Sequence, residues 1–221
     1  MSVVENFEQI KSQMPANVKL VAVSKYQPVS SIREIYEQGH RIFGESKVQE
    51  LVSKYETLPN DINWHFIGHL QTNKVKYIVP FVTLIHGVDS LRLLQEINKC
   101  ALKINKTVDC LLQMHIAQEE TKFGFSPEEL EKMLNSSEFN KLKNVRICGL
   151  MGMASYTDDM EQVRKEFKGL AEYYKKIKTS YFAENEFFNE LSMGMSGDYQ
   201  LAIEEDSTIV RVGSSIFGER N

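Results

Sequence analysis

Lys25 directly follows Leu20-Val21-Ala22-Val23-Ser24, a run of small and apolar residues with the character of a β-strand. Its amine therefore stands where a strand should stop and a connecting loop begin. Burying an ammonium without a partner is costly. The side chain either snorkels from the strand mouth to water or points into a site, where a strand-end amine can attack a carbonyl. Two later segments carry complementary chemistry: LSMGMSGD (residues 191–198) and RVGSSIFG (211–218) cluster glycines and serines whose backbone N–H groups can wrap an anion. His65 and His69 are four apart, a spacing that puts two imidazoles on one face of a helix. The strand-like WHFIG and Gly68 break that face, and no acidic third ligand is near in sequence, so His65 is expected to be a hydrogen-bonded residue near a strand terminus and no metal is expected. Cys100, Cys110 and Cys148 are odd in number and lack CxxC spacing, which predicts buried core thiols.

The elements that must carry these residues alternate. Eight β-rich runs recur: 20–25, 41–46, 62–68, 83–89, 108–116, 145–153, 187–195 and 208–218. Helical periods lie between them, such as Leu91, Leu94, Ile97, Ala101 and Leu102 after a Ser90 cap, and Val163, Phe167, Leu170, Ala171, Tyr174 and Ile177. The runs are nearly continuously apolar, as strands buried on both faces are, and strand-helix alternation implies a parallel sheet. Eight such strands close a (β/α)8 TIM barrel. An amphipathic segment (Val4, Phe7, Ile10, Met14) precedes the first strand, so the order is helix first, and only a few residues follow the eighth run. At 221 residues the barrel is near the short end of a range of about 200 to 400, which predicts a single domain over residues 1–221. A doubly wound open sheet would want a glycine-rich phosphate loop after its first strand, and here that position reads SKYQPV.

Barrel closure makes strand eight the neighbour of strand one, at a spacing of about 4.8 Å. Reactive residues in this architecture sit at the carboxyl ends of strands, and phosphate sites are often built after strands seven and eight. A phosphate held by Gly213 and Ser214 would then lie about one small aromatic ring from the Lys25 amine, a geometry that suits pyridoxal 5′-phosphate. By alternation Arg211 and Gly213 face one way and Val210 and Val212 the other. Arg211 in the barrel mouth is either a guanidinium beside a pyridine nitrogen, where it disfavours a proton, or an ordinary ion pair or phosphate clamp.

The composition, 42% hydrophobic and 25% charged, is that of a globular chain with a sizeable core. A formal net charge of −4 and a pI of about 5.8 give no footprint for nucleic acid or an anionic membrane. The amino terminus lacks a basic region followed by an apolar core, and no stretch has the apolar length of a membrane span, so a cytoplasmic protein is expected.

Six segments, LVAVSK, FGESKVQE, WHFIGHLQTNK, CGLMGM, LSMGMSGD and VRVGSSIFGER, run in order from about Leu20 to Arg220 and together resemble the pyridoxal phosphate homeostasis proteins, also called the proline synthase co-transcribed or alanine racemase N-terminal-like family. WHFIGHLQ and SMGMS are the most specific of them. The resemblance implies a monomeric, single-domain barrel with pyridoxal 5′-phosphate as an internal aldimine on Lys25. It carries phosphate binding onto Ser192, Gly213 and Ser214, and the pyridine-nitrogen contact onto Arg211. The chain departs from the family pattern at Ser46 and Lys47, where FGENYVQE is usual, and at His115, where Asn is usual. Lys122, in EETKFGF, reads as a surface loop residue.

Three functions fit these residues. The resemblance favours a cofactor carrier for vitamin B6 homeostasis, with pyridoxal phosphate-dependent apoenzymes as recipients and without turnover. An amino-acid racemase uses the same lysine but needs a second base on the opposite face, which related racemases take from a further domain not expected here. A cofactor-free Schiff-base aldolase would hold a sugar phosphate at the same cradle.

Overall fold

The computed structural model of the protein describes residues 2–118 and 123–218. The chain opens with α1 (Val3–Ser12), started by a capping box in which the Ser2 hydroxyl accepts from Glu5 N–H and the Glu5 carboxylate accepts from Ser2 N–H. Then follow β1 (Lys19–Val23), α2 (Val29–Glu37), β2 (Ile42–Glu45), α3 (Val48–Thr57), β3 (Asn63–Phe66), α4 (Val75–Ile78) and β4 (Leu84–Val88). The second half holds α5 (Leu91–Leu102), β5 (Val108–Met114), α6 (Pro127–Leu134), α7 (Ser137–Asn140), β6 (Val145–Gly152), α8 (Met160–Tyr181), β7 (Glu190–Met195), α9 (Tyr199–Glu204), β8 (Ile209–Val212) and α10 (Ser214–Phe217). All eight strands pair in parallel, in chain order, and β8 closes on β1 with Val21 opposite Arg211 and Ala22 opposite Val212. The chain is a (β/α)8 TIM barrel with a helix before its first strand.

The two faces of each strand supply two separate apolar layers, which is why the runs read as nearly continuous. The shell between strands and helices includes Ala22, Phe43, Trp64, Phe66, Val210 and Val212, together with Phe7 of α1 and Phe167 of α8. The barrel interior holds a smaller cluster of Val21, Leu84, Leu111, Cys148, Met151 and Ile209. Gly149 sits beside a register shift between β5 and β6, with φ +152° and a backbone so close to β7 that a Cβ there would lie 1.7 Å from the Glu190 carbonyl oxygen.

The structure trims the expected runs at their ends. β1 stops at Val23, two residues short of Lys25, and β5 stops at Met114. The eighth run is corrected most: β8 ends at Val212, and the stretch expected to continue it turns at Gly213 into α10. The reason is tertiary. Ile216 is fully buried, and its carbonyl accepts from the Asn6 amide of α1, so the segment after β8 folds back on the first helix. On α5 the buried face includes Leu93 and Cys100, whereas Leu102 is exposed. All three cysteines are buried and free.

Candidate functional site

The carboxyl ends of β1 and β8 meet in close packing. A Cβ added at Gly213 would lie 3.3 Å from both the Val23 Cβ and the Val23 carbonyl oxygen, so glycine lets the end of β8 approach the end of β1. Two residues beyond Val23, the half-buried Lys25 stands in a tight turn closed by Gln27 N–H donating to the Ser24 carbonyl at 2.9 Å. Tyr26 occupies the left-handed region at φ 65°, a backbone conformation uncommon outside glycine.

After β7 and β8 the expected small residues converge. The Ser196 hydroxyl accepts from Gly213 N–H at 3.1 Å and from Ser215 N–H at 3.5 Å, and the Ser215 hydroxyl donates to the Ser196 carbonyl. With exposed Ser214 beside them, these hydroxyl and N–H groups form the kind of donor set that a phosphate takes. Of the residues assigned to phosphate by resemblance, Gly213 and Ser214 lie in this cradle. Ser192 does not share its bonds: it is fully buried in the barrel interior, and Ser196, four residues on, stands at Gly213 instead. SMGMS contains both serines, and only the irregular register between Ser192 and Met195 decides which one reaches the mouth.

Arg211 is 3% exposed and donates to the Ser192 hydroxyl at 2.5 Å and to the Gly152 carbonyl at 3.1 Å. Among the described residues no carboxylate bonds it, so the ion-pair reading has no partner there. Burial lowers its pKa to about 10, which leaves it a cation at neutral pH, and the charge of Asp198 favours protonation. The line continues through two histidines, since His86 Nδ1 is 3.0 Å from the Ser192 hydroxyl and His86 Nε2 is 3.0 Å from His65 Nδ1. Both imidazoles are held neutral by burial, His65 at about 3 and His86 well below its ordinary value. His86, inside the apolar run TLIHGVD, carries no pattern that marks it in sequence.

The other residues singled out in the sequence lie apart. His69 pairs with Asp89 at 3.1 Å and stacks on Phe123, away from His65, and among the described residues no group of three or more His, Cys, Asp or Glu is disposed to hold a metal. Lys47 is exposed, with Nζ 4.7 Å from the centre of the Tyr26 ring. Ser46 and His115 are half-buried, and Lys122 lies outside the described residues. A cavity of about 350 Å³ opens at the opposite, amino-terminal end, lined by Lys19, Asn63, His65, Asp109, Cys148 and Glu190 among others. Its charges are neutralised locally, Lys19 by Glu190 and Asp109 by a two-bond pair with Arg146, while burial pushes the Cys148 thiol up to about 12. That end reads as structural, and the reactive groups gather at the other. No helix among the described residues is long and apolar enough to cross a membrane.

Residues 2–221 match the family described as alanine racemase, N-terminal domain. A pyridoxal phosphate homeostasis protein of Aquifex aeolicus is 44% identical over 203 residues, covering 91% of this chain and 87% of the relative. One from Synechocystis is 38% identical and covers 97% of each chain. Among solved structures, PipY of Synechococcus elongatus PCC7942 is 33% identical and covers 98% of this chain and 100% of its own, with a TM-score of 0.91 without PLP and 0.88 with PLP bound. An alanine racemase of Clostridium difficile, 16% identical with a TM-score of 0.75, shares the fold and is covered over 56% of its length.

Proposed function

This chain belongs to the alanine racemase N-terminal domain family and, within it, to the pyridoxal phosphate homeostasis proteins, and from that premise we propose that it holds pyridoxal 5′-phosphate through a Schiff base on Lys25 and takes part in intracellular vitamin B6 homeostasis without turnover of its own. The observation that carries this reading is the packing of Gly213 against Val23, which sets an anion cradle beside the strand end that presents Lys25. When bound, the cofactor supplies an aldehyde and an electron-withdrawing ring. Lys25 would contribute the amine that holds the cofactor through its aldehyde. Gly213, Ser214 and Ser196 would hold the phosphate. Arg211, kept in place by Ser192, would supply a positive charge near the cofactor's ring that disfavours a proton on the pyridine nitrogen and so weakens the ring as an electron sink.

In this reading residues 1–221 act as one monomeric domain in the cytoplasm that passes the cofactor to pyridoxal phosphate-dependent apoenzymes. The test is borohydride reduction of the yellow protein followed by peptide mapping. A pyridoxyl phosphate adduct on Lys25 is expected, and a colourless protein that binds no cofactor rejects the reading. Racemisation of an amino acid, lost in Lys25→Ala, would replace the carrier assignment by a racemase.

A further inference from the structure

Lys54 of α3 is 5% exposed, an unusual place for an ammonium. All three of its donors are used. Nζ lies 2.8 Å from the Ser24 carbonyl, 2.8 Å from Glu45 Oε1 and 2.6 Å from Glu50 Oε1. The two carboxylates reach the same turn by other routes, because the Ser24 hydroxyl donates to Glu45 Oε1 at 2.6 Å and Tyr26 N–H donates to Glu50 Oε1 at 2.6 Å. The backbone on both sides of Lys25 is therefore held by side chains of β2 and α3.

We propose that Lys54, Glu45 and Glu50 are positioning residues that clamp the Ser24–Gln27 turn and thereby aim the Lys25 amine at its carbonyl partner; the proposal rests on the Schiff-base reading above. Two observations converge on it. The Tyr26 backbone is left-handed, a strain that persists only where its surroundings over-determine it, and Lys54 and Glu50 bond Ser24 and Tyr26, the residues on either side of Lys25. A buried charged cluster is moreover a poor route to stability, since apolar residues of similar volume often serve as well, so its presence under this turn calls for a geometric role. Glu45 Oε2 is buried without a hydrogen-bond partner among the described residues, and burial raises the Glu45 pKa, which are costs of keeping the cluster dry.

The experiment separates aiming from binding. Cofactor-stripped wild type, Lys54→Met, Glu50→Ala, Glu50→Gln and a distant core control, Leu94→Ala, are each mixed with pyridoxal 5′-phosphate, and the rate at which reducible adduct appears on Lys25 is followed. Affinity for pyridoxine 5′-phosphate, which lacks the aldehyde, is measured in parallel. Lys54→Met and Glu50→Ala are expected to form adduct at least about tenfold more slowly while binding pyridoxine phosphate within about twofold of wild type, because a misplacement on the order of 1 Å costs up to about a hundredfold in rate. Glu50→Gln, which keeps an acceptor for Tyr26 N–H, should recover most of the rate, and Leu94→Ala should retain it. Wild-type rates in both clamp variants overturn the proposal, as do equal losses of adduct rate and analogue affinity. Should Lys54→Met fail to fold, Glu50→Ala decides alone, since Glu50 is partly exposed. A wild-type protein that forms no adduct on Lys25 rejects the cofactor reading itself.

Discussion

Arg211 on β8 donates to the hydroxyl of Ser192 on the adjacent strand β7 at 2.5 Å, inside the barrel. The bond ties a buried cation to a neutral acceptor, and the same hydroxyl meets His86, so one serine joins the charge at the mouth to a polar line across the interior.

Ser192→Ala removes that acceptor and leaves a buried guanidinium short of one bond. A hydrogen bond to a charged group is worth about 1.5–3 kcal/mol, and the stability of the cofactor-free protein in urea should fall by about that amount. An unchanged midpoint and slope would show that the guanidinium finds another acceptor.

Acid should weaken the fold before any carboxylate pair is lost. Unfolded histidine takes up its proton near pH 6.5, whereas His40 and His65 resist it down to about 4 and about 3, and His86 lies lower still, all because burial penalises the imidazolium. The unfolded chain then binds more protons in this window, so stability drops as pH falls below 6.5, by up to about 1.4 kcal/mol per pH unit for each histidine. Glu45, whose pKa is raised by burial, acts in the opposite sense and offsets part of one histidine's share. Urea titrations at pH 7 and pH 5 should show the loss, with a shallower dependence in His65→Gln.

Loss of a cradle hydroxyl should cost affinity only for phosphorylated ligands. Ser196→Ala and Ser214→Ala are each expected to raise the Kd for pyridoxine 5′-phosphate by roughly tenfold or more, the equivalent of one charged hydrogen bond. Binding of unphosphorylated pyridoxal should change little. Gly213→Ala, whose new methyl group would sit 3.3 Å from Val23, should weaken binding and stability together.

Lys47 lies 22 positions from Lys25 in the sequence, and its Nζ is held over the Tyr26 ring. Lys25→Ala should therefore yield colourless protein, and borohydride mapping should find no phosphate-dependent adduct on Lys47. A slowly formed Lys47 adduct that Ser214→Ala abolishes would show that this second amine can enter the site.

Gly149→Ala should fail to give folded protein. Its methyl group would overlap the Glu190 carbonyl at 1.7 Å and its φ of +152° strains any other residue, so a loss above about 4 kcal/mol is expected. Soluble protein with a native circular dichroism spectrum would contradict the register between β6 and β7.

The alternation of strands and helices was legible because each strand is buried on both faces and each helix on one, and these patterns are local. Strand ends were less so. Gly213-Ser214-Ser215-Ile216-Phe217 is compatible with a strand, and only the docking of Ile216 under α1 makes it a helix. His65 showed itself as a hydrogen-bonded residue, but its partner His86 did not, since a histidine in an apolar run looks the same whether or not another imidazole lies across the interior.

By itself, then, the sequence determined an eight-stranded parallel barrel, a lysine at the end of its first strand and small residues at the ends of its last two, because each depends on residues close together along the chain. Tertiary structure alone decided that Ser196 meets Gly213, that Ser192 turns inward to Arg211 and His86, and that Lys54 lies beneath the turn of Lys25. Those contacts join residues from 17 to 106 positions apart. They follow from strand register and barrel closure, which fix which side chains share an interior.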